Sequence, residues 1–126
     1  MSETYHTSLN NIDIDAEVSD VTVKKGNEFA ILSKGDDKKI KVNSKVNYHQ
    51  WKISEYQTST NINFRMQGNV YNHIVIIVPK NINNINIHTG SGSLKVLGIT
   101  SKNAHFKMED GDLSIKNGSV RLNKNK

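Results

Sequence analysis

The sequence predicts an all-β fold of stacked β-strand repeats, β-solenoid or β-roll-like, with coils of about 19 residues and little or no helix. Three observations carry that expectation. Aliphatic residues recur at period two in short runs, the pattern of strands that bury one face. The composition is rich in Asn, Ile, Val, Lys and Ser and poor in Ala, with a single Pro, which favours strands over helices. Finally, Ile12, Ile14, Val21 and Val23 share internal spacings of two, seven and two with Ile85, Ile87, Leu94 and Val96, and with Ala104, Phe106, Leu113 and Ile115. The last two sets are displaced by 19 residues throughout, from Ile87 to Phe106 and from Leu94 to Leu113.

Taken in order, residues 1–10 are polar and are expected to be poorly ordered. Ile12 and Ile14 begin the alternation, a polar corner spans residues 15–20, and Val21 and Val23 resume it. Lys24-Lys25-Gly26-Asn27 reads as a turn. Phe29, Ile31 and Ser33 form the next strand, closed by Gly35-Asp36-Asp37, and Ile40 and Val42 alternate again. From Val46 to Ile53 neither face is cleanly apolar, so the segment reads as one strand, either covered on both sides or at a sheet edge. Residues 54–60 form a polar link, Ile62, Phe64 and Met66 a strand, and Gln67-Gly68-Asn69 a turn. Val70 to Val78 is a long strand stopped by Pro79, which has no N–H to continue a ladder.

The repeated sets follow, each with a small or polar corner just before its second apolar pair: Ser19-Asp20, Gly92-Ser93 and Gly111-Asp112. These six are the expected structural corner residues, glycine for its freedom to take positive φ and Ser or Asp to hydrogen-bond exposed N–H groups. A further coil starts after Asn117-Gly118 with Val120 and Leu122 and is left incomplete, unless Asn117-Gly118 simply turns a hairpin. An incomplete coil exposes a strand edge, so self-association there is expected.

The segments IVIIVPKNINNINIHTGSGSLKVLGITSKNAHFKMEDGDLSIKNGSV and IDIDAEVSDVTVKKGNEFAILSKGDD resemble the adhesin-like family of β-strand-repeat proteins known as the DUF4097 group. The likeness rests on an apolar strand ending in V-P-K, then repeats of strand, a Ser/Gly/Asp corner and strand, over about residues 9–122. It implies a bacterial protein displayed on the cell surface, extracellular, folded as stacked strands, and in some members linked with envelope-stress signalling. It carries over no catalytic residues. Against that family pattern, this chain is read as having few repeats, and no membrane anchor is expected in it.

At 126 residues the chain is read as one domain, large enough for a modest core, and as an excerpt of a longer exported protein. It has no cysteine, hence no disulfide and no thiolate metal site. Met1 is followed by polar residues, so no signal peptide is expected, and no apolar window reaches the roughly 18 residues a membrane-spanning helix needs. The net charge of +5 is uneven, with 8 basic and 9 acidic residues in 1–60 against 9 and 3 in 61–126. The basic half invites an anionic partner, although single lysines also serve as solvated strand positions that block edge pairing. Without aromatic interleaving, nucleic acid is not an expected partner.

Gly90-Ser91-Gly92 has no following helix and lacks the third glycine of a dinucleotide loop, with Lys95 in that position. Glu109-Asp110-Gly111-Asp112 is the densest carboxylate group, but it occupies the corner slot where Ser and Gly serve elsewhere. Equivalent slots place Glu17 and Asp20 beside Gly90 and Ser93 and beside Glu109 and Asp112, so the middle coil lacks the acids a polysaccharide hydrolase would need. The histidines (His6, His49, His73, His88, His105) show no i, i+2 ligand spacing. No catalytic residue, metal ligand or cofactor is therefore expected, and the chain is read as a non-enzyme. Aromatic residues concentrate between 48 and 71, and Tyr48, Trp51 and Tyr56 are the expected recognition face, with core packing as the alternative. The expected function is binding or scaffolding at the bacterial envelope, with a protein or an envelope polymer as partner. The alternative is an envelope-stress sensor that binds an anionic ligand or another protein.

Overall fold

The computed structural model describes residues 2–6, 9–35, 40–57, 72–79, 82–116 and 119–124, which form strands and no helix. In chain order the strands are β1 (Ser2–Tyr5), β2 (Asn11–Ala16), β3 (Asp20–Lys25), β4 (Phe29–Gly35), β5 (Ile40–Asn47) and β6 (Gln50–Gln57). They continue with β7 (Asn72–Val78), β8 (Ile82–Thr89), β9 (Leu94–Leu97), β10 (Thr100–Met108), β11 (Leu113–Lys116) and β12 (Ser119–Lys124). The period-two pattern locates most of them. β2, for example, buries Ile12 and Ile14 and turns Asn11, Asp13 and Asp15 outward. β7 ends at Val78, one residue before Pro79.

The strands make two six-stranded sheets, ordered β1-β4-β7-β3-β9-β11 (sheet I) and β12-β10-β8-β2-β6-β5 (sheet II). β2, β8 and β10 lie in sheet II, and their successors β3, β9 and β11 lie in sheet I. Within each sheet these strands pair in parallel, β8 with β10 and β9 with β11 at the 19-residue offset of the sequence pattern. Aliphatic residues therefore form continuous rows. Ile12, Ile85 and Ala104 are register partners, as are Ile14, Ile87 and Phe106. Val21, Leu94 and Leu113 make a third row and Val23, Val96 and Ile115 a fourth. The inward faces of both sheets merge in one apolar cluster.

The rows extend further than the sequence pattern shows. Trp51 and Ile53 of β6 pair with Ile12 and Ile14, and Ile74 and Ile76 of β7 pair with Val21 and Val23. The first β2–β3 unit thus lies between β6–β7 on one side and β8–β9 on the other, although it comes first in the chain. Both sheets are mixed and open. β1, β4 and β5 run antiparallel at one end, so the molecule is not a uniform pile of like coils.

Three sequence-based expectations need correction. Ser2–Tyr5, expected to be poorly ordered, is an edge strand on β4. The 46–53 segment is two antiparallel strands and not one, turning at Tyr48-His49, with Tyr48 at φ 57°. Nothing like Asn-Gly marks that turn in the sequence, so the signal that locates hairpins was absent. The corner glycines Gly92 and Gly111 do not have positive φ. They are needed because neighbouring corners touch: a Cβ on Gly92 would meet the Ser19 carbonyl, and one on Gly111 the Gly92 carbonyl. The expected strand at Ile62, Phe64 and Met66, the turns at 67–69 and 36–37, and the Asn117-Gly118 corner lie outside the described residues.

Candidate functional site

The corners carry a network of backbone and side-chain hydrogen bonds. Backbone bonding continues around them: Ser91 N–H donates to the Glu17 carbonyl (2.8 Å), Asp110 N–H to the Gly90 carbonyl (2.9 Å) and Val21 N–H to the Ser93 carbonyl (2.8 Å). Side chains complete the set. Asp20 Oδ1 accepts from Ser93 N–H (2.8 Å), and Ser93 Oγ lies 3.4 Å from Asp112 N. Ser19 Oγ accepts from Asn72 Nδ2 (2.9 Å), and Asn72 Oδ1 accepts from Ser33 Oγ (3.2 Å), all three residues buried. Gly92 and Gly111 stack over Ser19 as described, so the six corner residues occupy one column.

On its β6 side the β2–β3 corner is bonded by a carboxylate, where its β8 side bonds the backbone of the next corner. Glu55 of β6 supplies that carboxylate: its Oε2 accepts from Val18 N–H (2.9 Å) and Glu17 N–H (3.2 Å), and its Oε1 from Ser19 N–H (2.9 Å). Backbone donors that would otherwise be unmatched are thereby satisfied.

The outer face of sheet II carries side-chain rows of its own. Asn103 Nδ2 donates to Asn84 Oδ1 (3.3 Å), and Asn84 Nδ2 to Asn11 Oδ1 (2.7 Å). Four residues along, nearer the corner, Lys107, His88 and Asp15 are register partners. His88 Nδ1 lies 2.8 Å from Asp15 Oδ1, and its Nε2 lies 3.3 Å from Glu109 Oε2. The hydrogen bond to Asp15 pushes the imidazole above its usual 6.5, its partial burial opposes the rise, and Glu109 adds to it. Glu17 completes the group: one ligand atom each from Glu17, His88 and Glu109 lie within 4.8 Å of one another. Glu17 reaches across because Gly90 has no side chain, and a Cβ there would come 2.6 Å from Glu17 Oε1.

The i, i+2 rule tests one strand at a time and missed this cluster, whose members come from three neighbouring chain segments. The register of Glu17, Gly90 and Glu109 was visible in the sequence, as was the lack of an acid in the middle position. His88, two residues before Gly90, supplies the middle group instead.

The expected aromatic recognition face is divided. Trp51 is fully buried, donates from Nε1 to Ser44 Oγ (2.8 Å) and packs edge-on against Tyr5 and Phe29. It is a core residue, and no ligand can reach its ring. Tyr48 is 87% exposed at the β5–β6 turn and Tyr56 53% exposed near the other end of β6. Six steps of β6, from Gln50 to Tyr56, lie between the turn and Tyr56, roughly 20 Å and too far for one small ligand.

The outer face of sheet I differs again. Lys24, Lys34, Leu32, Val75 and His73 line one depression, and Lys95, Asp20, Thr22, His73 and Ser93 line its neighbour. His73 Nε2 lies 2.8 Å from Thr22 Oγ1 between them. Among the described residues no helix is long and apolar enough to cross a membrane.

A candidate cell adhesion protein of Clostridium sporogenes has a solved structure matching 99% of this chain and 99% of its own, at 8% identity and a TM-score of 0.44. A candidate adhesin of Bacteroides fragilis matches 99% of this chain over 72% of its own, at 13% identity and a TM-score of 0.47. No curated protein matches the chain significantly. The sequence model of the Toastrack DUF4097 family matches residues 9–124, nearly the whole chain, and the chain belongs to that family.

Proposed function

We propose that this chain is a non-enzymatic, adhesin-like module at the bacterial cell envelope, and that its parallel strands form a β-solenoid of about 19-residue coils holding a binding surface rigid. The observation that carries this reading is the set of aliphatic rows in register across β6, β2, β8 and β10 and across β7, β3, β9 and β11. Such rows leave outward side chains at the strand spacing of about 4.8 Å, a repeat suited to an extended polymer or a partner protein. Family membership adds the expected location, the outer side of the cell. Sedimentation of the purified chain with isolated bacterial envelopes tests the proposal. Saturable binding without turnover is expected. Absence of saturable binding, or cleavage of an envelope polysaccharide that disappears in Asp112→Ala, would overturn it.

A second reading, a sensor domain for an anionic ligand, is favoured by the outer face of sheet I. Lys24, Lys34, Lys95 and Lys116 are exposed there, and Asp20, the acid beside them, is engaged by Ser93 N–H. Binding of inorganic polyphosphate should then weaken steeply between about 0.1 M and 1 M salt, as the screening length falls from about 10 Å to about 3 Å. It should also weaken in Lys34→Glu/Lys95→Glu. Salt-insensitive binding, or none, removes this alternative.

A further inference from the structure

The cluster around His88 poses an electrostatic problem. If the neutral imidazole donates its Nδ1–H to Asp15, its Nε2 presents a lone pair to Glu109 Oε2 at 3.3 Å. Lone pair against carboxylate is repulsive. Glu17 brings a third carboxylate to the same spot. Among the described residues, His88 is the one basic side chain within 4 Å of these acids, and its neighbour Lys107 makes no such contact. The arrangement thus calls for positive charge at Nε2, either a proton or a metal ion.

We infer that Glu17, His88 and Glu109 form a binding site for a first-row divalent cation of the zinc class, with Asp15 as the positioning residue that orients the imidazole. Four observations support a built site. The three ligand atoms already lie within 4.8 Å of one another, a span that one ion can bridge with modest side-chain movement. Asp15 holds Nδ1 at 2.8 Å, the carboxylate–histidine arrangement that fixes the tautomer and leaves Nε2 free to ligate. Gly90 leaves the room into which the Glu17 carboxylate leans, room that any other residue's Cβ would take. The site is also open to solvent, with side-chain exposures of 30% for His88 and 58% for Glu109, so an ion can enter.

The donor set selects the metal. One imidazole with two carboxylates suits Zn²⁺ or Co²⁺, whereas Ca²⁺ and Mg²⁺ prefer oxygen donors alone. Three protein ligands leave a coordination position for water or for a group from a partner. The ion would tie the corner after β2, strand β8 and the corner after β10 together, so binding should stabilise the folded chain by mass action.

Isothermal titration of the metal-free chain with ZnCl₂, paired with thermal unfolding and the visible spectrum of the Co²⁺ complex, tests the assignment. One saturable Zn²⁺ per chain is expected, with a raised Tm and a Co²⁺ spectrum showing a nitrogen ligand. His88→Gln should weaken Zn²⁺ binding at least 100-fold, and Glu17→Gln and Glu109→Gln at least tenfold each. Asp15→Asn should weaken it about 10–100-fold, the usual effect of losing such an orienting carboxylate. Asp13→Asn, on the same strand face but outside the cluster, should leave it unchanged. If one variant fails to fold, as judged by circular dichroism, the remaining three still decide. The proposal is overturned by no saturable Zn²⁺ binding, by binding that survives both His88→Gln and Glu109→Gln, or by Ca²⁺ binding more tightly than Zn²⁺. None of these results bears on envelope binding.

Discussion

Tyr5 shows how one side chain links three strands. Its hydroxyl donates to Glu3 Oε1 (2.9 Å) and lies 2.7 Å from Ser44 Oγ, which also accepts from Trp51 Nε1. Burial pushes its phenol above the usual 10.0, the Ser44 hydrogen bond opposes the rise, and Glu3 adds to it. A phenol raised on folding holds its proton more tightly in the folded chain. The stability it contributes is whole below about pH 10 and drains away as pH climbs through the folded value. Tyr5→Phe should therefore flatten the alkaline fall of stability, measured by urea unfolding between about pH 9 and pH 11, around the tyrosine range. An unchanged alkaline limb would count against it. Gly92 acts through what it lacks: Gly92→Ala places a methyl against the Ser19 carbonyl, and the corner column must give way. A loss of about 1–3 kcal/mol is expected from urea midpoints, and a neutral result would mean that the corners do not stack.

At the scale of the strand, Ile87 of β8 is 2% exposed and sits in register between Ile14 and Phe106. Ile87→Ala should cost about 2–5 kcal/mol in chemical unfolding, while its outward neighbour Asn86→Ala should stay within about 0.5 kcal/mol. Equal effects would show that the facing is wrong. These alternations were legible because a half-buried strand forces period two on its residues. The β5–β6 hairpin was not, since Tyr48-His49 has no turn chemistry and the register with β2 decides where β6 starts. Trp51 escaped for a related reason. Its place in the Ile12 row depends on a strand that the 19-residue pattern does not reach.

At the scale of the whole molecule, β11 in sheet I and β12 in sheet II are edge strands among the described residues. An unpaired edge offers its N–H and C=O groups to a second copy. Sedimentation velocity should show concentration-dependent association, reduced by Ser114→Lys, which adds charge on the edge strand β11. A chain that stays monomeric at high concentration would argue against that contact.

By itself the sequence determined the all-β class, the aliphatic faces, the corner positions and the family, because burial and backbone geometry impose short periods on neighbouring residues. Only the tertiary structure decided that the first strand pair lies between β6–β7 and β8–β9, that Trp51 is core, and that His88 meets Asp15, Glu17 and Glu109. Those facts depend on which strands pair across long stretches of chain. Pairing is settled by the combined burial of whole faces, a sum that no local spacing records.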